Sequence, residues 1–352
     1  MMPVDKIKVL IIDDSRSVQD LLAYILNSDP QIEVIGTAEN GILALKFLEK
    51  NRPDVITMDM DMPEMDGLET TRIIMETNPI PIIVVTASWS PSEVRKTYRA
   101  TEVGAVGIMN KPRGIGHPDY NRTALELIST VKAMSEVRLI KRWARTGRIK
   151  EKQVPEGREI KQIKTDVRIV AIGTSTGGPP VIQNILSRLP KDLPVPILLV
   201  QHISKGFLKG FIDWLVISTG HKIYEATNHA KAEPGIIYVA PDDFQLGISS
   251  NGIIELSDNN PGDDYCPSVS HLFKCTAKSY GSDAMGILLT GMGKDGANEL
   301  KLMRDLGAVT IAQDKASSVI YGMPGVANKI GAASYVLPPE EIARMIVQLV
   351  KK

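Results

Sequence analysis

A chain of 352 residues is long enough for about two domains, because single hydrophobic cores stop growing near 250 to 300 residues. Its 41 basic and 41 acidic residues cancel, which leaves no nucleic-acid footprint, and a hydrophobic fraction of 43% is ordinary for a soluble globular protein. The only cysteines, Cys266 and Cys275, fit neither a disulfide framework nor a zinc pair. The short apolar stretch in "MMPVDKIKVLIIDD" ends in aspartates, so it is neither a signal peptide nor a membrane span, and the expectation is a reduced, cytoplasmic protein.

The first third alternates short apolar runs with segments of helical period. "IKVLIID", "IEVIGTA", "DVITMDM", "IPIIVVTA" and "AVGIMNK" are β-branched and apolar on both faces, as strands of a buried parallel sheet are. "RSVQDLLAYILNS" and "GILALKFLEKN" place apolar residues at helical spacing between them. Repeated βαβ units predict a doubly wound, flavodoxin-like α/β domain with its chemistry at the carboxyl ends of the strands. Those ends carry Asp13 and Asp14, then Asp59 within "ITMDMDMPEMDG", then Thr86, then Lys111-Pro112. Clustered carboxylates repel one another unless something positive sits among them, either an oxygen-preferring cation such as Mg²⁺ or a lysine ammonium. A carboxylate beside bound Mg²⁺ is also set up to accept a phosphoryl group. A single aspartate after a strand is usually a helix cap or turn former, but that reading does not account for the whole set.

The constellation resembles the response-regulator receiver domain. The resemblance implies Asp59 as phosphoacceptor, and Asp13 and Asp14 as holders of Mg²⁺ directly or through water. It further implies the Asp61 carbonyl as another ligand, Lys111 as partner of the phosphoryl group, and Thr86 as its hydrogen-bond donor on activation. One departure is Ile108, which stands where the family has an aromatic switch residue.

Residues 123 to 146 open with an amphipathic helix, "ALELISTVKAM", and pass into a stretch rich in lysine and arginine that contains Pro155 and Gly157. The domain reading is therefore a receiver over 1–134, a basic linker over 135–165 and a second domain over 166–352. The linker reads as a solvated spacer or as a basic docking strip, with Trp143 a candidate packing contact.

In the second half "RIVAIG", "PILLVQH", "IIYVAP", "AMGILLTG", "AVTIAQ" and "ASYVLP" read as strands of another, mostly parallel α/β sheet. Ser175, in "IGTSTGG", falls where the first of these hands over to a helix. The motif fits a G-x-S-x-G nucleophile elbow, a loose dinucleotide-binding turn, or a glycine-rich turn without chemistry; a P-loop is excluded because no Gly-Lys-Ser/Thr follows. Two other strand ends favour the first. His202 closes the second strand, and Asp295 lies in the turn after "GILLTGMGKDG". A serine needs a base, and the base needs a partner to fix its tautomer, so Ser175, His202 and Asp295 converging on one sheet edge make a Ser–His–Asp hydrolase the leading reading. The chain order differs from that of the common α/β-hydrolases. Backbone N–H groups around Met292 and at the helix start after Ser175 are the candidate oxyanion donors.

"IGTSTGG", "QHISKGF", "YVAPDD", "LLTGMGKDGA" and "YGMPGVA", in that order behind a receiver, resemble the CheB family of chemotaxis protein-glutamate methylesterases. The resemblance implies hydrolysis of glutamate γ-methyl esters on methyl-accepting chemoreceptors, receptor glutamine deamidation, and phosphorylation by a CheA-type histidine kinase. It implies Ser175 as nucleophile, His202 as base, Asp295 as orienter, the Met292 N–H as oxyanion donor and Thr176 as a site-lining residue. It needs Mg²⁺ at the receiver and no cofactor for the esterase. No nucleic acid is a partner, contact with the membrane is only through receptors, and the chain is expected to be a monomer. A second departure lies in "CPSVS", where Cys266 replaces a basic residue and Ser270 an aspartate; Cys266 is not read as a nucleophile. The receiver is expected to cover the catalytic mouth until Asp59 is phosphorylated.

Overall fold

The computed structural model describes residues 6–87, 91–137, 166–259 and 265–350, with backbone only for 91–95. The basic strip with Trp143, and with it most of the expected 135–165 linker, lies outside the described residues.

The first half has strands β1 (Ile7–Ile12), β2 (Ile32–Ala38), β3 (Val55–Met58), β4 (Ile82–Thr86) and β5 (Gly107–Asn110). They alternate with helices α1 (Arg16–Asn27), α2 (Gly41–Leu48), α3 (Gly67–Thr77), α4 (Pro91–Glu102) and α5 (Tyr120–Ser135). The strands pair in parallel in the order β2-β1-β3-β4-β5, the doubly wound arrangement read from the sequence. Strands such as Val55–Met58 and Ile82–Thr86 are buried throughout because helices cover both faces. Leu22, Ile25 and Leu26 of α1 pack with Leu127, Val131 and Met134 of α5 on one face, and Ala44, Ile74 and Ala100 on the other. The amphipathic helix "ALELISTVKAM" is core of the first half: α5 buries Ala124, Leu127, Val131 and Met134 at helical spacing.

The second half holds β6 (Ile169–Thr174), α6 (Gly178–Leu186), β7 (Ile197–Gln201), α7 (Leu208–Thr219), β8 (Lys222–Glu225), β9 (Ile236–Val239), β10 (Phe244–Ile248) and β11 (Ile254–Asp258). There follow α8 (Val269–Tyr280), β12 (Ala284–Leu288), α9 (Ala297–Asp305), β13 (Val309–Gln313), α10 (Met323–Lys329), β14 (Tyr335–Leu337) and α11 (Pro339–Leu349). Seven strands form a parallel sheet in the order β14-β13-β12-β6-β7-β9-β8, and β10 and β11 make a separate antiparallel hairpin. The order places β6 between β12 and β7, so the chain segments that leave these three strands emerge side by side. Among the described residues no helix is long and apolar enough to cross a membrane.

The halves meet through α4 of the first and α7 of the second. Tyr98, wholly buried, stacks on Trp214 with centroids 5.4 Å apart and tilts against Phe211 at 5.2 Å. Glu102 Oε1 accepts hydrogen bonds from Trp214 Nε1 at 2.8 Å and Gln183 Nε2 at 3.4 Å. Ile108 packs against the cores of both halves, and Val319 and Ile320 lean on the receiver core.

Candidate active site and acidic cluster

Ser175 follows β6 directly, and its backbone is fixed by hydrogen bonds on both sides. Its N–H donates to Thr290 O at 3.0 Å, and its carbonyl accepts from Gln201 Nε2 at 2.8 Å. Gly177 caps α6 with φ +76°, a left-handed conformation that most side chains disfavour, which lets the chain turn sharply from strand to helix. Gly291 leaves the room: a Cβ there would stand 2.7 Å from that of Ser175.

Thr174 lies opposite Gln201 in the β6–β7 register, and His202 N donates to Thr174 O at 3.0 Å, so residues 175 and 202 leave adjacent strands at the same level. His202 Nε2 is 2.9 Å from Asp295 Oδ2. Asp295 sits between β12 and α9, on the opposite side of β6, and its carboxylate is met by the start of α8. Oδ2 also accepts from Val269 N at 2.7 Å, while Oδ1 accepts from Ser268 Oγ and Ser270 N, both at 3.0 Å. Burial alone would raise the pKa of this group. The hydrogen bond and positive charge of His202, with hydrogen bonds from Ser270, outweigh it and hold Asp295 down to about 2. A helix N-terminus aimed at a carboxylate acts in the same direction.

Ser175, Thr176, His202 and Met292 all line one cleft of about 1200 Å³, whose other wall is the receiver, including Thr86, Asn110 and Lys111. Met292, on the side of the cleft opposite the receiver, is 42% exposed, and Thr176 is anchored through its carbonyl, which accepts from Thr290 Oγ1 at 3.0 Å. Ser270, one of the two departing residues in "CPSVS", supports the site: its hydroxyl accepts from Gly296 N and donates to Glu299 Oε2 at 2.6 Å. Cys266, the other, lines the cleft.

Three groups here were not legible in the sequence. Ser268 caps α8 and reaches Asp295; Gln245, fully buried in the hairpin, accepts from Ser268 N and donates to Tyr265 O, both at 2.8 Å; and Tyr265 lies flat on His202. The only local signal was Ser268 standing at a helix start.

The acidic cluster of the first half assembles as its strand ends predict. One carboxylate oxygen from each of Asp13, Asp14 and Asp59 lies within 4.8 Å of the others. Lys111 Nζ is 2.7 Å from Asp13 Oδ2 and 3.1 Å from Asp59 Oδ2. Burial lowers the basicity of this ammonium, but Asp13 and Asp59 outweigh burial and raise it. Asp59 is pushed up to about 6, by burial first and by Asp13, against the pull of Lys111. Asp13 Oδ2 is buried and, although within ion-pair reach of Lys111, receives no aligned hydrogen bond. An oxygen cluster with an unsatisfied buried lone pair and a protonation-prone acid is a fitting cradle for a hard divalent cation such as Mg²⁺. Asp61, two residues on, pairs its own carboxylate with Lys96 at 3.8 Å. Thr86 is buried at the end of β4.

The CheB methylesterase family profile matches residues 170–346, and the response regulator receiver domain profile matches 9–117. The chain belongs to the CheB methylesterase family. A protein-glutamate methylesterase/protein-glutamine glutaminase 1 of Syntrophus aciditrophicus is 52% identical over 97% of this chain and 98% of its own length. A protein-glutamate methylesterase/protein-glutamine glutaminase of Nitrosospira multiformis is 47% identical over 98% and 97%. The crystal structure of the Thermotoga maritima CheB methylesterase catalytic domain is 36% identical, with a TM-score of 0.50, and covers 52% of this chain and 99% of its own. The receiver and esterase modules read from the motifs are therefore those of a known two-part family.

Proposed function

We propose that Ser175 is the nucleophile, His202 its general base and Asp295 the group that orients the imidazole, in a phosphorylation-regulated protein-glutamate methylesterase that also deamidates glutamine. The observation that carries this reading is the 2.9 Å bond between His202 Nε2 and Asp295, beside a serine on the adjoining strand. With Nε2 donating to Asp295, Nδ1 is the ring nitrogen left to take the Ser175 proton. Oγ then attacks the γ-carbonyl carbon of a methylated glutamate, and the carbonyl π pair moves onto oxygen. Backbone N–H groups at Met292 and at the start of α6 meet that charge, Thr176 lining the same pocket. Collapse expels the methoxy group, which leaves as methanol with the imidazolium proton. Water, deprotonated by the same histidine, releases glutamate and regenerates the hydroxyl. A glutamine amide follows the same steps with ammonia as leaving group.

In the receiver, an Asp59 carboxylate oxygen attacks the phosphorus of the donor's phosphohistidine, the P–N bond breaks and the donor imidazole leaves, while Lys111 pairs with the transferred oxygens and the Thr86 hydroxyl donates to them. Asp13, Asp14, Asp59 and the Asp61 carbonyl would hold Mg²⁺, which would neutralise those oxygens. The phosphodonor is a CheA-type histidine kinase. The substrate is a methyl-accepting chemoreceptor, reached from the cytoplasm by a chain that acts as a monomer.

Because the receiver walls the cleft that holds Ser175, the bulky substrate is excluded while the halves are docked. Beyond the burial of Tyr98, two aromatic contacts of about 0.5 to 1.5 kcal/mol each and two hydrogen bonds of about 1 kcal/mol each make that docking a matter of several kcal/mol. A phosphoryl group that adds about −1.5 to −2 charges next to Thr86, just ahead of α4, is of the right size to reverse it. Domain limits of 1–134, 135–165 and 166–352 follow from this division.

The direct test is methanol release from a peptide carrying glutamate γ-methyl ester, with and without a small-molecule phosphodonor and Mg²⁺. Ser175→Ala is expected to lose about 10⁴-fold or more in kcat with an unchanged circular dichroism spectrum. Wild-type rates in that variant would rule out the assignment.

A further inference from the structure

Tyr265 lies with its ring centroid 4.7 Å from that of His202 and the two planes only 6° apart. It belongs to none of the motifs that carry the family resemblance, yet its backbone is anchored and its ring reaches across to the turn after β12. Its carbonyl accepts from the fully buried Gln245 side chain at 2.8 Å, and its hydroxyl stands 3.4 Å from where a Cβ on Gly293 would be, beside Met292. Two residues after Gln245's other partner, Ser268, the chain delivers Ser270 N to Asp295. One short segment, 265–270, thus supplies both the plate under the imidazole and most of the donors on its carboxylate partner.

We propose that Tyr265 is a positioning residue for the esterase reaction, whose ring face holds the His202 imidazole in plane and stabilises the imidazolium as it forms. The inference rests on the Ser175–His202–Asp295 reading. A ring tied at Nε2 alone can still swing about its Cβ–Cγ bond, and a parallel aromatic at this distance blocks that swing. The same ring presents its negative face to the charge that develops when Ser175 loses its proton. The effect falls on the transition state, where the imidazole is charged, more than on substrate binding, where it is neutral. Besides Asp295 from the β12–α9 turn, the cleft that holds the imidazole is lined by Lys205 after β7, Asp242 and Asp243 after β9, Cys266 beside Tyr265, and, from the other half, Lys111, Arg113, Asp119, Arg122 and Glu126. Among the described residues Asp295 is hydrogen-bonded to the ring and Tyr265 is stacked on it, which places both to act on its charged form.

The experiment is steady-state hydrolysis of a γ-methyl-glutamyl peptide by the full-length chain. Tyr265→Ala is expected to lower kcat about tenfold, leave KM within about twofold, and move the acid limb of the kcat/KM–pH profile to lower pH by about half a unit. Tyr265→Leu keeps apolar bulk without a ring face and should behave in the same way, which covers the case in which alanine fails to fold. Tyr265→Phe should restore both rate and limb. If Phe falls as far as Ala, or if Ala and Leu lose rate with the limb unmoved, the stacking role is overturned. Combination with His202→Ala separates this inference from the reading beneath it. If His202→Ala keeps its activity, that reading fails. If it loses activity and Tyr265→Ala still costs a further tenfold in that background, Tyr265 acts elsewhere and the inference alone fails.

Discussion

Two buried aspartates, one directly after β3 and one in the turn between β12 and α9, are driven in opposite directions. Asp59 is 7% exposed and Asp295 8%, so burial does not distinguish them. Asp59 is raised to about 6 and Asp295 lowered to about 2. The difference is in what surrounds them. Asp295 receives four hydrogen bonds, from an imidazole, a capping hydroxyl and two backbone N–H groups at a helix start. Asp59 faces two further carboxylates and shares one lysine with Asp13. One site is built to keep its charge without help. The other is left short of positive charge until a cation or a phosphoryl reaction supplies the balance.

The largest effect expected from this contrast is on catalysis. Asp295→Asn keeps the shape and removes the charge that holds the imidazole, so kcat should fall about 10³- to 10⁴-fold with the fold intact. A decrease under tenfold in a stopped methanol assay would break the comparison, because the carboxylate would then be ordinary.

Next is stability in the receiver. A carboxyl whose folded value is raised from 3.8 to about 6 favours folding fully below pH 4, and that contribution is lost as pH rises through 6. The loss is about 3 kcal/mol, to order of magnitude. Asp59→Asn should therefore unfold at higher temperature than the parent at pH 7.5 in EDTA, with the gap closing at pH 4. Adding Mg²⁺ should raise the parent's midpoint at pH 7.5 and leave that of Asp59→Asn nearly still. A scan in which the variant is no more stable at neutral pH would mean that the cluster is already balanced.

Asp295 supplies the opposite sign. Its folded value lies below the unfolded one, so its contribution of about 2 kcal/mol is present above pH 4 and disappears as pH falls toward 2. Stability of the second half should fall between pH 4 and 2 in the parent, and that part of the fall should flatten in Asp295→Asn. The smallest effect is on the contact between the halves. Removing residues 1–137 should raise basal hydrolysis of a large methylated receptor fragment about tenfold while changing that of a small ester less. Equal rates for the truncated and full chains would sink the occlusion reading.

Much of this was readable from the residues alone. Buried parallel strands announce themselves as β-branched runs, and Asp13, Asp59, Ser175, His202 and Asp295 stand where such runs stop. What stayed hidden depends on tertiary contact. The β10–β11 hairpin and the short β8 mix polar with apolar residues and carry no continuous run. Gln245 looks like any strand glutamine until the chain folds back to Ser268. Tyr98 is one aromatic in the otherwise polar "PSEVRKTYRATE", and only the neighbouring α7 explains its burial. Ile108, the missing aromatic of the receiver, has its reason in the same interface, where it touches both cores.

Trp214 lies against Tyr98 with its indole N–H bound to Glu102, and only two other tryptophans, Trp89 and Trp143, occur in the chain. With those two replaced by phenylalanine, the remaining indole becomes a fluorophore inside the seam. A red shift of its emission on adding phosphodonor would then time the parting of the halves directly, independent of any substrate.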